Sequence, residues 1–156
     1  MMKITLITLG NKMPNWATEA KDEFIKRLQE HAHFHCIEIP LQKRNKTSDL
    51  ARILEKEEQS MREAIPIGSR CIALDKSGQQ FTSKSLAQHL ERLQQHHTHL
   101  SFIIGGPEGL QPTLLNDCQE KWSLSNLTFP HALARVILLE ALYRSWSILQ
   151  HHPYHK

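Results

Sequence analysis

Apolar residues along this chain follow two patterns that alternate from beginning to end. Short, mostly apolar runs are typical of strands buried in a sheet, and apolar residues three and four positions apart are typical of one helix face. The runs predict strands at 3–9, 33–39, 70–74, 100–104 and near 122–124. The helical spacing predicts helices over 15–30, after a cap at Thr47 or Ser48, after a cap at Ser83, over 110–117 and over 131–149. This alternation implies one α/β domain, 1–156, with a mainly parallel sheet covered on both faces.

Two local expectations follow from the same pattern. In the second predicted helix, an apolar face that includes Met61 leaves Glu55, Glu57 and Glu58 on the solvent side. After the third predicted strand, the residues 75–78 (Asp-Lys-Ser-Gly) predict a turn. The carboxylates are therefore expected in water, and the strand is expected to end at the turn.

The last predicted helix, 131–149, carries apolar side chains on almost its whole circumference. A surface helix shows a single apolar stripe, so a helix of this kind is expected to be buried on several sides. A small domain encloses such a helix with difficulty, and the pattern therefore favours a homodimer. A central core helix in a monomer is the alternative.

Composition narrows the class of protein without identifying a function. The 156 residues fit one domain, and 40% hydrophobic residues are enough for a core. We expect no membrane span and no signal peptide, because no apolar run reaches the roughly 20 residues of a span and the first residues resemble a strand. The three cysteines, Cys36, Cys71 and Cys118, are expected to be buried, reduced thiols of a cytoplasmic protein. The net charge of +3 permits a nucleic-acid partner without requiring one.

The segment 102–110 (Phe-Ile-Ile-Gly-Gly-Pro-Glu-Gly-Leu) joins an apolar strand to a loop with three glycines. Glycine lets a backbone come close to a ligand, and ligands of α/β proteins bind at the carboxyl ends of strands. The spacing is neither that of a dinucleotide fingerprint nor that of a phosphate loop. Two interpretations are open, a tight turn and a ligand site.

Three loops are expected at one end of the sheet: the loop after Leu74, the loop 105–109 and the loop 123–130. The third loop alternates small polar and apolar residues. Its backbone N–H and C=O groups could recognise a planar base beside an apolar slot. A strand followed by a helix cap at Thr128 explains the same residues equally well.

Residues near the carboxyl terminus supply further candidates. Arg135 lacks a partner at helical spacing, whereas Arg144 stands four residues after Glu140 and predicts an ion pair. The tail 151–156 (His-His-Pro-Tyr-His-Lys) contains three histidines, but their spacing does not match a formed metal site. A disordered tail is one alternative, and a tail that stacks its tyrosine on RNA and pairs its cations with phosphate is another.

Several ordered motifs along the whole chain resemble one known family. They are 3–10, Lys43-Arg44-x-Lys46, Leu74-Asp75-x-x-Gly78, 104–109, 123–131, Arg135, Glu140-x-x-Tyr143-Arg144 and 154–156. In all of them the chain is similar to the ribosomal RNA large subunit methyltransferase H family, a group of small SPOUT-class enzymes.

The resemblance implies a SPOUT fold with a carboxyl-terminal deep trefoil knot, and a homodimer. It implies S-adenosylmethionine as the methyl donor, bound in the knot, and no metal. The implied product is N3-methylated pseudouridine in 23S ribosomal RNA, made on the assembled 70S ribosome. By matching motifs, the expected donor contacts are Leu74, Gly105, Leu124, Ser125, Asn126, Leu127, Thr128 and Phe129.

Methyl transfer to an imide nitrogen suggests catalytic roles for three residues of the matched motifs. The N3 proton must leave, so a base, or a cation that stabilises the anion, helps. We expect His155 to accept or relay the proton, Arg135 to supply the charge and Tyr154 to stack on the target base. The expected phosphate contacts, for each of which ordinary solvated charge is the alternative, are Lys43, Arg44, Lys46, Arg144 and Lys156.

Three other functions stay open. A non-catalytic nucleotide-binding domain would bind other adenine nucleotides as well as the methyl donor. A histidine-tail metal module would be stabilised by zinc or nickel. An enzyme of the same fold could act on transfer RNA, although the short chain without an added RNA-binding domain argues against it.

Overall fold

The structure, a computed structural model, describes residues 1–10 and 12–156. Within these residues five strands alternate strictly with five helices, as the sequence pattern predicts. The strands are β1 (Met2–Leu9), β2 (Ala32–Ile39), β3 (Arg70–Gln79), β4 (His99–Ile104) and β5 (Glu120–Trp122). The helices are α1 (Asn15–Leu28), α2 (Leu50–Ala64), α3 (Ser83–His96), α4 (Pro112–Asp117) and α5 (His131–Leu149).

The five strands pair in parallel in one sheet, in the order β2-β1-β4-β3-β5. The central strands β1 and β4 are buried along almost their whole length, which accounts for their nearly continuous apolar sequences. The predicted α/β class and the parallel sheet are therefore confirmed. Because parallel strands point the same way, the loops that follow β3, β4 and β5 lie at one edge of the sheet.

Helices cover both faces of the sheet and divide the core into two layers. On one face, α1, α3 and α5 pack over Ile4, Leu6 and Phe102. On the other face, α2 and α4 pack over Ile7 and Leu9. Successive side chains of a strand point to opposite faces, so β1 fills both layers.

Helix α5 has the predicted bounds but buries only part of its circumference. One side, which includes Leu138 and Leu142, packs on the sheet and is almost fully buried. The opposite side, which includes Leu133, Val136 and Ile137, is only half-buried. The described chain therefore does not enclose α5 as a central core helix of a monomer would be enclosed.

Several predicted details differ from the structure. Glu57 was expected on the solvent side but is 3% exposed, because Arg44 and a backbone N–H bind its carboxylate inside the protein. The cap of α2 is Asp49, the residue after the predicted Ser48, and the cap of α3 is Thr82, the residue before the predicted Ser83. Strand β5 ends at Trp122 rather than beginning there, because its pairing with β3 runs from Glu120 to Trp122.

The predicted turn at 75–78 lies inside β3 as an interruption of its pairing. Trp122 pairs with both Leu74 and Gln79, so the residues between them loop out of the ladder. Gly78 is needed in this loop, because a Cβ there would lie 2.5 Å from a backbone carbonyl carbon of β5. The expectation that the strand ends at a turn after Leu74 is therefore wrong, because residues 75–79 belong to β3, with an irregular register against β5.

Candidate functional site

A cavity of about 490 Å³ opens where the carboxyl ends of β4 and β5 meet the interruption of β3 that follows Leu74. Its volume falls within the range of about 300–1,000 Å³ that is usual for small-molecule sites. The three loops expected at this edge form the cavity together with the start of α5. The lining residues are 74–76, 104–109, 122–125, 127–131 and Ala134.

The glycine loop closes on itself and forms one wall of the cavity. The N–H of Gly109 donates to the carbonyl oxygen of Gly106 at 3.0 Å, and Gly109 has a φ of +74°, which favours glycine. A Cβ on Gly105 would lie 2.6 Å from the carbonyl carbon of Gly109, closer than side chains approach backbone. The tight turn and the cavity wall are therefore one feature, because the turn that needs glycine also leaves a wall of bare backbone.

The loop after β5 forms another wall and is held by its own polar side chains. The Ser123 hydroxyl donates to the carbonyl oxygen of Ser125 at 3.1 Å, and the Ser125 hydroxyl accepts from the N–H of Leu127 at 2.9 Å. The residue at the cap of α5 is Pro130 rather than Thr128, and its side chain makes no cap hydrogen bond. The explanation of this loop as a helix cap at Thr128 is therefore wrong.

The cavity gathers all but one of the expected donor contacts. Asn126 is the exception, since its side-chain oxygen accepts from the Gln80 amide at 2.9 Å and it does not line the cavity. Apolar side chains beside free backbone N–H and C=O groups suit a ligand with a flat apolar part and polar edges. The expected contacts that line the cavity are Leu74, Gly105, Leu124, Ser125, Leu127, Thr128 and Phe129.

His131 lines the cavity and was not singled out by the sequence analysis. Burial lowers its pKa, and the nearby Arg135 cation lowers it further. The imidazole is therefore neutral near pH 7 and can accept a proton. Its place at the end of the motif 123–131, directly after Pro130, is the signal in the sequence that could have identified it.

Arg135 lies behind the cavity and is only 1% exposed. Its Nη2 donates to the carbonyl oxygens of Gly10 at 2.7 Å and Leu9 at 3.1 Å, and its Nη1 lies 3.9 Å from the Glu38 carboxylate. Burial lowers the pKa of Arg135, and the Glu38 charge opposes this change. Arg135 has no hydrogen-bond or ion-pair partner on its own described helix, as expected, but it is not unpaired, because its partners come from β1, the residue after it and β2.

Arg44 connects the loop before α2 to the glycine loop. Its guanidinium lies 2.5 Å from the buried Glu57 carboxylate and donates to Glu108 at 2.9 and 3.0 Å. The hydrogen bond with Glu57 raises the pKa of Arg44. Arg44, which was expected to contact phosphate, is therefore part of an internal ion-pair network with Glu57 and Glu108. The expected phosphate contacts that are exposed are Lys43, Lys46 and Lys156.

The carboxyl-terminal tail folds back along its own α5. The Tyr154 O–H donates to Glu140 at 3.1 Å, and its ring centroid lies 4.7 Å from that of Tyr143. Arg144, which forms the predicted ion pair with Glu140 at 2.7 Å, also lies over the Tyr154 ring and donates to Nδ1 of His155 at 3.0 Å. Within the described chain, neither Tyr154 nor His155 lines the cavity.

Two features of residues 1–10 and 12–156 bear on other classes of protein. No group of three or more His, Cys, Asp and Glu side chains there is arranged to hold a metal ion. The tail histidines therefore have no such group around them in this part of the chain. None of its helices is long and apolar enough to cross a membrane.

Comparison with known proteins identifies close relatives in sequence. Residues 2–155 match the family model described as "Predicted SPOUT methyltransferase". Two proteins of Legionella pneumophila, from strains Paris and Lens, are both named "Ribosomal RNA large subunit methyltransferase H" and are 57% identical over 156 residues, the full length of each chain. A protein of the same name from Marinomonas sp. (strain MWYL1) is 41% identical over 99% of this chain and 100% of its own.

Solved structures that resemble this one are more distant in sequence and show the fold alone. A "probable methylase family protein" from Haemophilus influenzae Rd KW20 has a TM-score of 0.64 at 13% identity, over 99% of this chain and 71% of the other. A "Probable Methyltransferase" from Bordetella pertussis Tohama I has a TM-score of 0.54 at 10% identity, over 92% of this chain and 96% of the other. The full-length family match and the relatives above 40% identity show that this chain belongs to the SPOUT methyltransferase family, in the group named ribosomal RNA large subunit methyltransferase H.

Proposed function

We propose that this protein transfers a methyl group from S-adenosylmethionine to N3 of a pseudouridine in 23S ribosomal RNA, on the assembled 70S ribosome in the cytoplasm. The observation that carries the proposal is the cavity between the carboxyl ends of β4 and β5 and the interruption of β3, which is lined by most of the expected donor contacts. The names of the relatives support ribosomal RNA as the substrate. The base, the N3 position and the 70S particle rest on the resemblance of the motifs.

The cavity residues fit the methyl donor. Leu74, Leu124 and Phe129 supply an apolar slot for a flat adenine ring, and the backbone of the third loop supplies polar groups for its edge. The turn that requires Gly105 keeps the neighbouring wall free of side chains. When bound, S-adenosylmethionine supplies an electrophilic methyl group on its sulfonium.

The protein must also position the base and remove its N3 proton. We propose His131 as a proton acceptor beside the expected His155, because its neutral imidazole lines the cavity. Arg135 acts as a positioning residue in this proposal. It holds the carbonyl oxygen of Leu9, whose side chain lies against the glycine loop at Gly106.

A homodimer would complete the site. The half-buried side of α5 presents Leu133, Val136 and Ile137, and a second copy that covers them would bury apolar surface. Tyr154 and His155 stay on their own α5, away from their own cavity. In the proposed dimer, the tail of one chain reaches the cavity of the other and brings these two side chains to the base.

The proposed trefoil knot has local support in contacts between the end of β3 and the third loop. The N–H of Ser123 donates to the carbonyl oxygen of Gln79 at 2.9 Å, and the Gln80 amide donates to Asn126 at 2.9 Å. These contacts are compatible with a carboxyl-terminal segment that passes through a loop formed by the earlier strands.

The small positive charge favours a folded particle over free RNA as substrate. A net charge of +3 gives weak attraction to phosphate at physiological salt, so the shape of the substrate must add to recognition. We propose that Lys43, Lys46 and Lys156 contact phosphates, with Arg144 beside them if it exchanges its Glu140 partner for RNA.

The test is transfer of labelled methyl from S-adenosylmethionine to intact 70S ribosomes, separated subunits and naked large-subunit RNA, all lacking the modification. We expect label only on the 70S particle, at N3 of a single pseudouridine. Label on naked RNA or on another base would overturn the proposed substrate assignment. Absence of donor binding would overturn the methyltransferase proposal itself.

Matched variants make the same assay specific to the cavity. Gly105→Ala forces the glycine loop to shift and should abolish donor binding. Gly68→Ala lies outside the cavity and is strained by its φ of +83°, so it controls for a general loss of stability and should preserve donor binding. A mixture of Gly105→Ala, which retains its tail, and a chain truncated after His152, which retains its cavity, tests whether each site is shared between two chains. Activity should return on mixing only if each site combines the cavity of one chain with the tail of the other.

A further inference from the structure

Cys71 and Cys118 form a close pair of thiols apart from the donor cavity. Cys71 is the second residue of β3 and Cys118 directly follows α4, yet their Sγ atoms are 3.3 Å apart. Cys71 belongs to the core layer under α2 and α4, and Cys118 packs against it there. Neither residue lines the donor cavity, and the proposed methyl transfer uses neither thiol.

The two thiols differ in exposure and in acidity. The hydrogen bond with Cys118, together with burial, raises the pKa of Cys71, which is 4% exposed. The same hydrogen bond lowers the pKa of Cys118, and the nearby Arg62 cation lowers it further while burial opposes both. Cys118 is half-buried, and both cysteines line a surface cavity of about 270 Å³. Cys118, the more exposed of the two, is therefore the thiol that a peroxide reaches first, and Cys71 is placed to resolve the oxidised sulfur.

We infer that Cys71 and Cys118 are an oxidation site, at which a small peroxide converts the two thiols into a reversible disulfide. The Cys118 thiolate attacks one oxygen of hydrogen peroxide, an S–O bond forms, the O–O bond breaks, and hydroxide leaves and takes up a proton. The Cys71 sulfur then attacks the sulfenic sulfur. An S–S bond replaces the S–O bond, and the departing hydroxide carries away the Cys71 proton as water. The two thiols lose two electrons in total, and one peroxide accepts them.

The two sulfurs need to move only a short distance in the second step, in which the disulfide forms. A disulfide has an S–S length of about 2.05 Å, so the sulfurs must approach by about 1.3 Å from their present 3.3 Å. The bond would close residues 71–118 into a loop that contains α3, β4, the glycine loop and α4. In a reducing compartment such a bond forms transiently under oxidation and is then reduced, as is usual for redox-sensing pairs.

Cys36 is a control within the same chain. It lies on β2, which β1 and β4 separate from β3, so about 14 Å of sheet lies between it and Cys71. Burial raises the pKa of its thiol. A peroxide that oxidised cysteines without regard to their surroundings would modify Cys36 together with the other two.

The test treats the full-length enzyme with one equivalent of hydrogen peroxide, alkylates the remaining thiols and digests with trypsin without a reductant. Cleavage by trypsin leaves Cys71 in peptide 71–76, Cys118 in peptide 93–121 and Cys36 in peptide 28–43. We expect peptide 71–76 linked to 93–121, loss of both alkylated forms, full alkylation of 28–43, and reversal by dithiothreitol. A link that includes 28–43, or full alkylation of all three peptides, would overturn the inference.

Single variants separate the roles of the two thiols. Cys71→Ser should leave Cys118 as a sulfenic acid that a dimedone probe traps, and Cys118→Ser should leave Cys71 fully alkylatable after the same peroxide treatment. Cys36→Ser should retain the linked peptides. Oxidation should raise Tm in the wild type and in Cys36→Ser but not in Cys118→Ser. Equal peroxide reactivity of Cys71 in the wild type and in Cys118→Ser would contradict the assigned order of attack.

Discussion

Replacing Arg44 by methionine should leave the buried Glu57 carboxylate without its cation. The guanidinium lies 2.5 and 3.1 Å from the two carboxylate oxygens of Glu57, whose side chain is 3% exposed. Methionine retains a long apolar stem but has no N–H donor. In Arg44→Met the N–H of Gln42, at 2.9 Å, stays as a hydrogen-bond donor to a carboxylate that water reaches poorly.

The structure sets the size of this effect. Removing one partner of a buried ion pair costs about 3–5 kcal/mol, because the other charge stays buried. We expect about 3 kcal/mol, at the lower end of that range, because the Arg44 side chain is 19% exposed and the Gln42 N–H remains. The outer pair with Glu108, which is 29% exposed, contributes less than about 1 kcal/mol. With a urea m-value of about 2 kcal/mol per M, the unfolding midpoint should fall by about 1.5 M.

Urea unfolding followed by circular dichroism measures this midpoint. Lys43→Met is the matched control, since it removes the same charge from the adjacent, exposed residue and should leave the midpoint nearly unchanged. The double variant Arg44→Met/Glu57→Gln has no buried charge left, so most of the lost stability should return. Equal midpoints for Arg44→Met and Lys43→Met, or a double variant as unstable as Arg44→Met, would refute the reasoning and leave Arg44 available for RNA.

Three further changes test other parts of the molecule. Gly78→Ala places a methyl group 2.5 Å from the Lys121 carbonyl carbon, so thermal unfolding should show a loss of about 1–3 kcal/mol; an unchanged Tm would contradict the tight β3–β5 approach. Burial raises the pKa of Glu120, but hydrogen bonds, first among them that from Arg70, outweigh it and hold the pKa below its usual value. The resulting stability is present above about pH 4.5 and lost as pH falls through the depressed pKa, so acid titration of Glu120→Gln should be flatter in that window than titration of the wild type. His131→Gln should slow methylation and remove a fall in rate expected below pH 6.5, where the imidazole becomes protonated; an unaltered pH–rate profile would exclude His131 as the base.

Features that depend on neighbours in sequence could be predicted from the sequence. Helix α5 begins and ends at the predicted residues, and β4 begins one residue before its predicted start. Both follow from local periodicity, and the order of elements then determines that the loops after parallel strands meet at one edge. The place of the cavity and most of its lining could therefore be predicted from local patterns, whereas its ligand could not.

Features that depend on residues far apart in the chain could not be predicted in this way. Glu57 has the helical position of a solvent-facing residue, and only the folded loop that carries Arg44 makes its burial possible. Arg135 binds carbonyl oxygens 125 and 126 residues away. Cys71 and Cys118 have no common motif, and the register of β5 beside β3 brings them together. Helical periodicity contains no information on such pairs.

The strand order has a consequence for how the protein is made. Strand β1 can pair early with β2, but β3 pairs only with β4 and β5 among the described strands, and both follow it in the chain. At about 5–20 residues per second, synthesis from the start of β3 to the end of β4 takes about 2–7 s, during which β3 has no partner in the sheet. Strand β4 then enters between β1 and β3 and unites two separate halves. Because β4 also leads into the glycine loop, the nascent chain cannot form the cavity before the sheet is joined.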